Sequence, residues 1–512
     1  MINNYYFYCL QYIKTLDKTN FPPRVIINSI IKGKENDMEK KRKINFVYDL
    51  ETSGLGKKYA DKPFDNISWE QIYQFGFIAT DENYENILDK ANLTARPRVS
   101  TIPLIGALLT TKKTMHELFQ AKLFHFQLIQ KIYGIIQQFK NQGQVNFVGH
   151  NILGYDEHIL SACLYNSSFC PHITKSKNST RTDSIKLISL AMSLDEKILN
   201  KGITGKGKES LSLEPLARAN SIEMRNAHDA ICDVETTISI LKLMQSRNPI
   251  LYKNLCNIVD ADYVKNFLSQ NQIFLMKLAN NSKKFTPFLF LGFDHNNPKR
   301  AYAYNLSNVT DLKSFSEVKM IKAFKIDNNP MIQEYNDDLP INSKCKINEL
   351  DKIVSKINRS DFLELIDQRN KNFQNSSDEI LDPEEKIFEP TSIYDNEIMT
   401  ADLQKLIQIA ENTENPNNSF LLKKIVFEET PELLSRSDQQ RIYTILRERL
   451  LHNGFTYFTN IAEAQMHYDQ LKKSKINQEN QHIFDSYGDY LKQLYNFFSN
   501  PNFIHKSKFQ LN

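Results

Sequence analysis

Two carboxylates, Asp49 and Glu51, follow a short apolar run and are the first residues of the chain that could do chemistry. Residues 44–48 are rich in strand-forming side chains and lead to a Ser-Gly pair at 53–54 that is typical of a turn. Side chains at i and i+2 of a strand share a face, so the two carboxylates should point the same way. They would repel each other unless a cation lay between them, and a hard divalent ion suits oxygen ligands. The alternative is a strand that simply ends in polar residues.

Further acids and a histidine stand at similar places later in the chain. Asp156 follows a predicted strand and enters a predicted helix, and His228 and Asp233 lie at the start of another helix. Taken singly, each has a structural explanation, since an aspartate that enters a helix is commonly a cap and Asp229 is itself a good N-cap candidate. Their joint occurrence at strand and helix ends favours a shared metal site.

The elements that must position these residues alternate between short apolar runs and amphipathic stretches over 44–248, which indicates an α/β domain. After the first strand, we predict strands at 74–80, 93–100 and 145–151, one long helix at 115–139, helices that begin near 155, 185, 213 and 228, and a flexible basic loop at 200–209. Strand-like runs at 286–293, 301–305 and 320–326 then predict a small barrel-like β domain. Residues 398–498 are mostly amphipathic helix.

Composition limits the class of protein. A length of 512 residues predicts several domains, and the hydrophobic share of 41% with 24% charged residues is typical of a soluble globular protein. The formal net charge of +4 confines any nucleic-acid surface to a local patch. The six cysteines form no C-x-x-C pair, which argues against a zinc site and suits a reducing compartment. With no membrane-length apolar run and no recognisable signal peptide, we expect a cytoplasmic protein.

Three motifs together resemble the DEDDh class of 3′-to-5′ exonucleases. They are D-L-E-T-S-G at 49–54, N-x-x-x-Y-D at 151–156 and N-A-H-D-A-x-x-D at 226–233. The resemblance covers residues 44–245, and the segments 106–111 and 210–223 are similar to the exonuclease I branch. Weaker similarity to that branch extends to 291–300 and 356–359.

The resemblance implies the fold class and the domain order. We expect an α/β protein with a ribonuclease H-like exonuclease domain at 43–248, an SH3-like β domain at 249–365 and a helical domain at 366–512. Residues 1–42 are either an N-terminal extension or the result of a start assigned too early, because Met38 lies just before the first strand.

Both the residue types and the resemblance assign catalytic roles. Asp49, Glu51, Asp156 and Asp233 would hold two Mg²⁺ ions, with Mn²⁺ as a substitute, about 3.5–4 Å apart, as in sites that clamp an in-line displacement. Asp49 is the expected bridging ligand. His228 is the expected general base, because an imidazole titrates near neutral pH.

The resemblance also points to residues that bind substrate. Glu51, Thr52, Leu108 and Thr110 match segments that contact the terminal nucleotides in the family. Ser212 replaces an arginine that relatives often carry near the substrate phosphate, and this departure weakens the expectation of tight, processive binding. Asp183 matches an aspartate of structural use. Basic candidates for a single-strand groove are Lys112, Lys113, the lysines of 201–208, Lys299, Arg300 and the arginines from Arg441 to Arg449.

The expected function is therefore metal-dependent 3′-to-5′ removal of mononucleotides from single-stranded DNA, in DNA repair or recombination. An RNA-trimming or proofreading nuclease is one alternative, but the long C-terminal part similar to exonuclease I counts against it. A non-catalytic single-strand-binding scaffold is another, although it would not need the complete set of acids and the histidine. The implied partners are single-stranded DNA and the acidic tail of a single-strand DNA-binding protein, and we expect a monomer that does not bind membranes.

Overall fold

The computed structural model describes residues 42–54, 70–167, 169–224, 228–311, 318–356, 362–363, 365–370, 403–413, 416–452, 459–501, 503, 509 and 511. The predicted N-terminal extension lies outside the described residues, apart from residue 42. Three regions follow one another along the chain, and they are described in turn.

The first region is built on a five-stranded sheet of order β3-β2-β1-β4-β5. Its strands are β1 (Lys43–Thr52), β2 (Ile72–Asp81), β3 (Ile87–Thr94), β4 (Gln144–Gly149) and β5 (Ser179–Asp183). Strands β1 to β3 pair antiparallel, whereas β4 and β5 continue the sheet in parallel. The central strand β1 is buried on both faces, as its apolar run predicts, and Phe46 stacks on Phe77 with ring centroids 4.8 Å apart.

Helices cover this sheet and carry part of the candidate site. They are α1 (Ile105–Thr111), α2 (Met115–Phe119), α3 (His125–Gln142), α4 (Asp156–Asn166), α5 (Ser184–Leu194), α6 (Leu213–Ala219) and α7 (Ala230–Arg247), with α8 (Pro249–Cys256) and α9 (Ala261–Gln270) leading to the second region. A short hairpin of β6 (Gly202–Ile203) and β7 (Glu209–Ser210) stands where a loop was predicted.

Two further predictions are wrong in detail. The third strand lies at Ile87–Thr94 and not at 93–100, because the turn after β2 is tight and the chain pairs again at once. The single helix predicted at 115–139 is two helices, α2 and α3, separated at 120–124. The Gln127 side chain accepts a hydrogen bond from the Phe124 backbone N–H at 3.1 Å and so starts α3 anew.

The second region is a five-stranded antiparallel sheet of order β11-β10-β9-β8-β12, which agrees with the predicted small β domain. Its strands are β8 (Ile273–Met276), β9 (Thr286–Phe293), β10 (Arg300–Asn305), β11 (Ile321–Lys325) and β12 (Ile332–Glu334), followed by α10 (Ile347–Val354). The Lys277 ammonium joins this sheet to the first region, since it donates to Ser189 O and Ser193 Oγ, each at 2.7 Å.

The third region is helical, as predicted, and packs against the first. It contains α11 (Leu403–Asn412), α12 (Pro416–Glu429), α13 (Arg436–Leu451), α14 (Ile461–Lys475) and α15 (Gln481–Ser499). Helices α14 and α15 lie against α1, and the Tyr487 hydroxyl donates to Pro103 O at 2.6 Å. The third region therefore supports the segment that leads into α1. Within the described residues, none of the helices has the length and apolar character needed to cross a bilayer.

Gly76 on β2 lets helix α7 approach the centre of the sheet, which gives a first prediction. A Cβ at this position would lie 2.5 Å from the Ala230 carbonyl carbon and from Ile231 N, both backbone atoms. We expect Gly76→Ala to lower the free energy of unfolding by about 1–3 kcal/mol, the usual cost of overpacking. Urea denaturation would measure it.

The matched control is Gly134→Ala in α3, where a Cβ would meet no atom within 4 Å. This change should be neutral or stabilising by up to about 1 kcal/mol, because alanine favours a helix over glycine. Equal stability of Gly76→Ala and the wild type would contradict the close approach of α7.

Candidate active site

Strand β1 carries the first two predicted site residues at its C-terminal end. It runs through to Thr52, so Asp49 and Glu51 are both strand residues two positions apart and share a face. Asp49 lies opposite Gly76 and Glu51 opposite Gln74 in the pairing with β2. Because glycine has no side chain at that point, α7 can bring its own residues close to the two carboxylates.

The first turn of α4 brings Asp156 to the same place. Its Oδ1 accepts a hydrogen bond from the Leu50 backbone N–H, which lies between the two β1 acids, at 3.2 Å. The loop before α4 is fixed by Asp183, whose carboxylate accepts hydrogen bonds from the backbone N–H groups of Asn151 at 2.9 Å and Leu153 at 3.2 Å. These bonds agree with a structural use of Asp183.

The start of α7 supplies His228 and Asp233. Ligand atoms of Glu51, His228 and Asp233 all lie within 4.8 Å of one another. His228 has a left-handed backbone with φ of 65°, and its N–H donates to the Asp233 carboxylate. That hydrogen bond uses one oxygen of Asp233, while the buried Oδ1 finds no hydrogen-bond partner among the described residues.

Asp229 occupies the predicted N-cap position of α7, but its side chain makes no capping hydrogen bond there. Its carboxylate instead accepts a hydrogen bond from Gln74 Nε2 of strand β2 at 2.9 Å. Gln74 also accepts a hydrogen bond from the Lys113 ammonium. Lys113, predicted only as a contact for the nucleic-acid strand, is thus part of the site itself.

Burial raises the pKa of the site carboxyls. It raises the pKa of Asp49 well above the ordinary value, with a further increase from the charges of Asp156 and Glu51. The pKa of Glu51 rises to about 8 through burial and the charge of Asp233, although Lys113 opposes the change. Burial likewise raises the pKa of Asp156 to about 8 and that of Asp233 to about 7. The raised pKa values mean that too little positive charge surrounds these four carboxyls to keep them all ionised.

The donor set fits hard divalent cations. Carboxylate oxygens predominate, and the unpartnered Asp233 Oδ1 is a free ligand atom within the cluster. Burial lowers the pKa of His228, so its imidazole stays neutral at pH 7 and can accept a proton. The arrangement therefore combines a cation-binding acid cluster with a base at its edge.

Among the predicted substrate contacts, Thr52 follows Glu51 on β1 and is buried. Its hydroxyl is hydrogen-bonded to the Tyr155 hydroxyl, which also donates to Gly54 O at 2.6 Å. Sequence reasoning gave Tyr155 no role, although it precedes Asp156 within the second motif. Tyr155 therefore ties the end of β1 to the start of α4.

The other three predicted substrate contacts lie on α1 and at the start of α6. Leu108 is buried on α1, whereas Thr110 is exposed and its hydroxyl donates to Gly106 O at 3.0 Å. Ser212 is exposed at the N-cap position of α6, and its hydroxyl accepts a hydrogen bond from Ser210 Oγ at 3.0 Å.

The basic residues proposed for a single-strand groove differ in exposure. Arg449 is only 4% exposed, so the prediction that it contacts nucleic acid is wrong. Lys299 and Arg300 are partly exposed but paired, Lys299 with Asp327 at 2.9 Å and Arg300 with Asp294 at 3.5 Å. To contact a phosphate, each side chain would have to give up its ion pair, so the net gain in binding free energy would be small.

In sequence, the chain is similar to proteins named exodeoxyribonuclease I. The one from Buchnera aphidicola subsp. Acyrthosiphon pisum is 30% identical over 214 residues, 41% of this chain and 48% of that protein. The one from Haemophilus influenzae is 28% identical over 209 residues, 41% of either chain, and that from Escherichia coli 27% over 183 residues, 36% and 38%. The chain thus spans less than half of each of these relatives, and no family model matches it.

In structure, the likeness is more extensive. Exonuclease I from Methylocaldum szegediense has a TM-score of 0.63 at 20% identity, covering 88% of this chain and 99% of that one. Escherichia coli Exonuclease I in complex with a dT13 oligonucleotide has a TM-score of 0.64 at 17% identity, covering 88% and 100%. The α/β region and the helical region after it thus share the fold of these proteins. In sequence this chain is therefore similar to exodeoxyribonuclease I proteins, and in fold it is similar to Exonuclease I structures.

Proposed function

We propose that this chain is a metal-dependent exonuclease that removes mononucleotides from the 3′ end of single-stranded DNA, with a role in DNA repair or recombination. The observation that carries the proposal is the acid cluster, which gathers residues from β1, α4 and α7 beside a histidine. The sequence relation to exodeoxyribonuclease I supports this activity. That the E. coli relative was solved with a dT13 oligonucleotide supports the substrate.

Asp49, Glu51, Asp156 and Asp233 would hold the metal, for which we propose two Mg²⁺ ions with Mn²⁺ as a substitute. Such ions, when bound, activate water and stabilise charge on a reacting phosphate. The protein's part is to hold the four carboxylates on rigid elements. Leu50 N–H fixes Asp156 and His228 N–H fixes Asp233, so neither carboxylate depends on a loop side chain for its position.

His228 would act as the general base toward the attacking water. Its imidazole lies beside Glu51 and Asp233, and burial keeps it neutral and able to accept a proton. The left-handed backbone at His228 turns the chain sharply just before α7. This local conformation places the imidazole at the edge of the cluster, facing the two acids.

Substrate would be held by Glu51, Thr52, Leu108, Thr110 and Ser212. Tyr155 keeps Thr52 in place through the hydroxyl contact, and the third region supports the segment that leads into α1. We further propose domain bounds of 43–248, 249–365 and 366–512, and an SH3-like form for the second region. We also propose that the protein is a monomer and that it binds the acidic tail of a single-strand DNA-binding protein.

The direct test is digestion of 5′-labelled single strands, as DNA and as RNA, with Mg²⁺ or with chelator. We expect a metal-dependent ladder on DNA that shortens from the 3′ end. Asp49→Asn should remove cleavage, because the cluster loses a ligand, but keep single-strand binding. Gel electrophoresis resolves the products and fluorescence anisotropy measures the binding.

Glu235→Gln is the matched control, since this exposed acid lies on α7 outside the cluster and should cleave like the wild type. Faster loss of RNA than of DNA would move the protein to the trimming nucleases. Binding without any cleavage would refute the enzymatic proposal.

A second prediction concerns the base. We expect His228→Gln to lower kcat by about 10²–10⁴-fold, the usual contribution of general base catalysis, with little change in KM. Steady-state kinetics on a single-stranded oligonucleotide would measure both constants. His467→Gln, an exposed histidine on α14, serves as the control. A His228→Gln enzyme with undiminished kcat would show that another group takes the proton.

A further inference from the structure

Strand β5 lies at the edge of the first sheet, and a turn of the second region covers that edge. The turn connects β11 to β12, and its residue Asn329 is 2% exposed with a left-handed φ of 47°. Asn329 Oδ1 accepts a hydrogen bond from the Asp183 backbone N–H at 2.7 Å, and its Nδ2 donates to Arg181 O at 2.8 Å. One side chain thus pairs with two backbone groups of β5.

The pairing of β5 with β4 explains why these two groups need a partner. In a parallel strand, alternate residues direct both backbone groups to the same neighbour. Arg181 and Asp183 alternate with Thr180 and Thr182, so their groups face away from β4 and toward the open edge. The Asn329 amide satisfies them in the way that a further strand would, which removes the cost of leaving them buried and unpaired.

Neighbouring residues hold the turn in place from both sides. The Lys186 ammonium donates to Asn328 O at 2.7 Å, and Arg181 Nη2 donates to Asp327 O at 3.0 Å. The Arg181 side chain is 10% exposed, and its Nη1 lies 3.6 Å from Glu157 Oε2. The turn is therefore a fixed part of the first region's surface.

Two chains of contacts lead from this turn to the acid cluster. Through the first, Asn329 holds the backbone of Asp183, whose carboxylate holds the loop at 151–153 that ends at Asp156. Through the second, Arg181 faces Glu157, which accepts a hydrogen bond from the Tyr48 hydroxyl at 2.8 Å. Tyr48 directly precedes Asp49 on β1, so both chains end next to a proposed metal ligand.

We propose that Asn329 is a positioning residue of the active site. Through it, the second region fixes the loop of the first region that leads to Asp156. The inference rests on the proposed function, because Asp156 is a ligand only in that proposal. The second region then does more than add a surface for single-stranded DNA. It also helps to hold in place a site whose acids all come from the first region.

Asn329→Gly tests this with little disturbance of the backbone, because glycine adopts a positive φ without strain. Calorimetric titration with Mn²⁺ should show affinity reduced about 10-fold, as is typical when an outer partner of a metal ligand is lost. Amide hydrogen exchange at 151–156 should become faster well below the unfolding temperature. Cleavage should fall at limiting Mn²⁺ and recover at high Mn²⁺.

Asn178→Gly is the matched control, because Asn178 is also left-handed, with φ of 63°, but is exposed just before β5. It should bind Mn²⁺ like the wild type. If Asn329→Gly lowers the unfolding temperature while Mn²⁺ affinity and exchange at 151–156 stay unchanged, Asn329 only stabilises the fold and the inference is wrong. A wild-type protein that binds no Mn²⁺ would instead overturn the proposed function.

Discussion

The crowding of four carboxylates in a partly buried site is the constraint on which the rest of this structure depends. Asp49, Glu51, Asp156 and Asp233 come from three segments, and burial raises the pKa of each. A fold gains nothing from such a cluster by itself, because ionised acids in a pocket destabilise the folded state. The cluster becomes favourable when cations enter it. Asp156 and Asp233 also lie in the first turns of α4 and α7, where the helix dipole favours negative charge.

Much of the surrounding structure keeps these acids together. Gly76 allows α7 to approach β2, and Asp183 holds the loop that leads to Asp156. The second region reaches the same loop through Asn329, and the third region supports the segment before α1 through Tyr487. Each support acts on backbone groups of the first region. A site held in this way can keep its geometry when metal and substrate charges change.

The parts of the site that sequence alone predicts are those written in local pattern. The strand that carries Asp49 and Glu51 is a continuous apolar run, and Asp233 and His228 stand at a recognisable helix start. Strand β5 was not predicted, because its Ser-Thr-Arg-Thr sequence has no apolar residue. Its outer edge is instead held by the hydrogen bond from Asn329 to Arg181 O.

Contacts between segments far apart in the sequence could not be predicted either. Asp229 stands at the N-cap of α7, but its side chain binds Gln74 of strand β2 and not the helix backbone. Arg449 belongs to a basic helix yet lies buried against the rest of the protein. Asn329 has nothing in its own neighbourhood to mark it, since its partners precede it by almost 150 residues, 329 against 181 and 183. Tertiary packing alone determines what these side chains bind.

Proton release on metal binding is the most direct test of a cation-binding acid cluster in this protein. Since the carboxyl pKa values in the metal-free protein are raised to about 7 for Asp233 and about 8 for Glu51 and Asp156, these groups hold protons at neutral pH that a cation must displace. Mn²⁺ titrations in two buffers of different ionisation enthalpy, at about pH 6.5 and about pH 9, would count those protons. We predict release of about one proton or more per protein at the lower pH and clearly less at the higher pH. Tight Mn²⁺ binding with no proton release at the lower pH would contradict it.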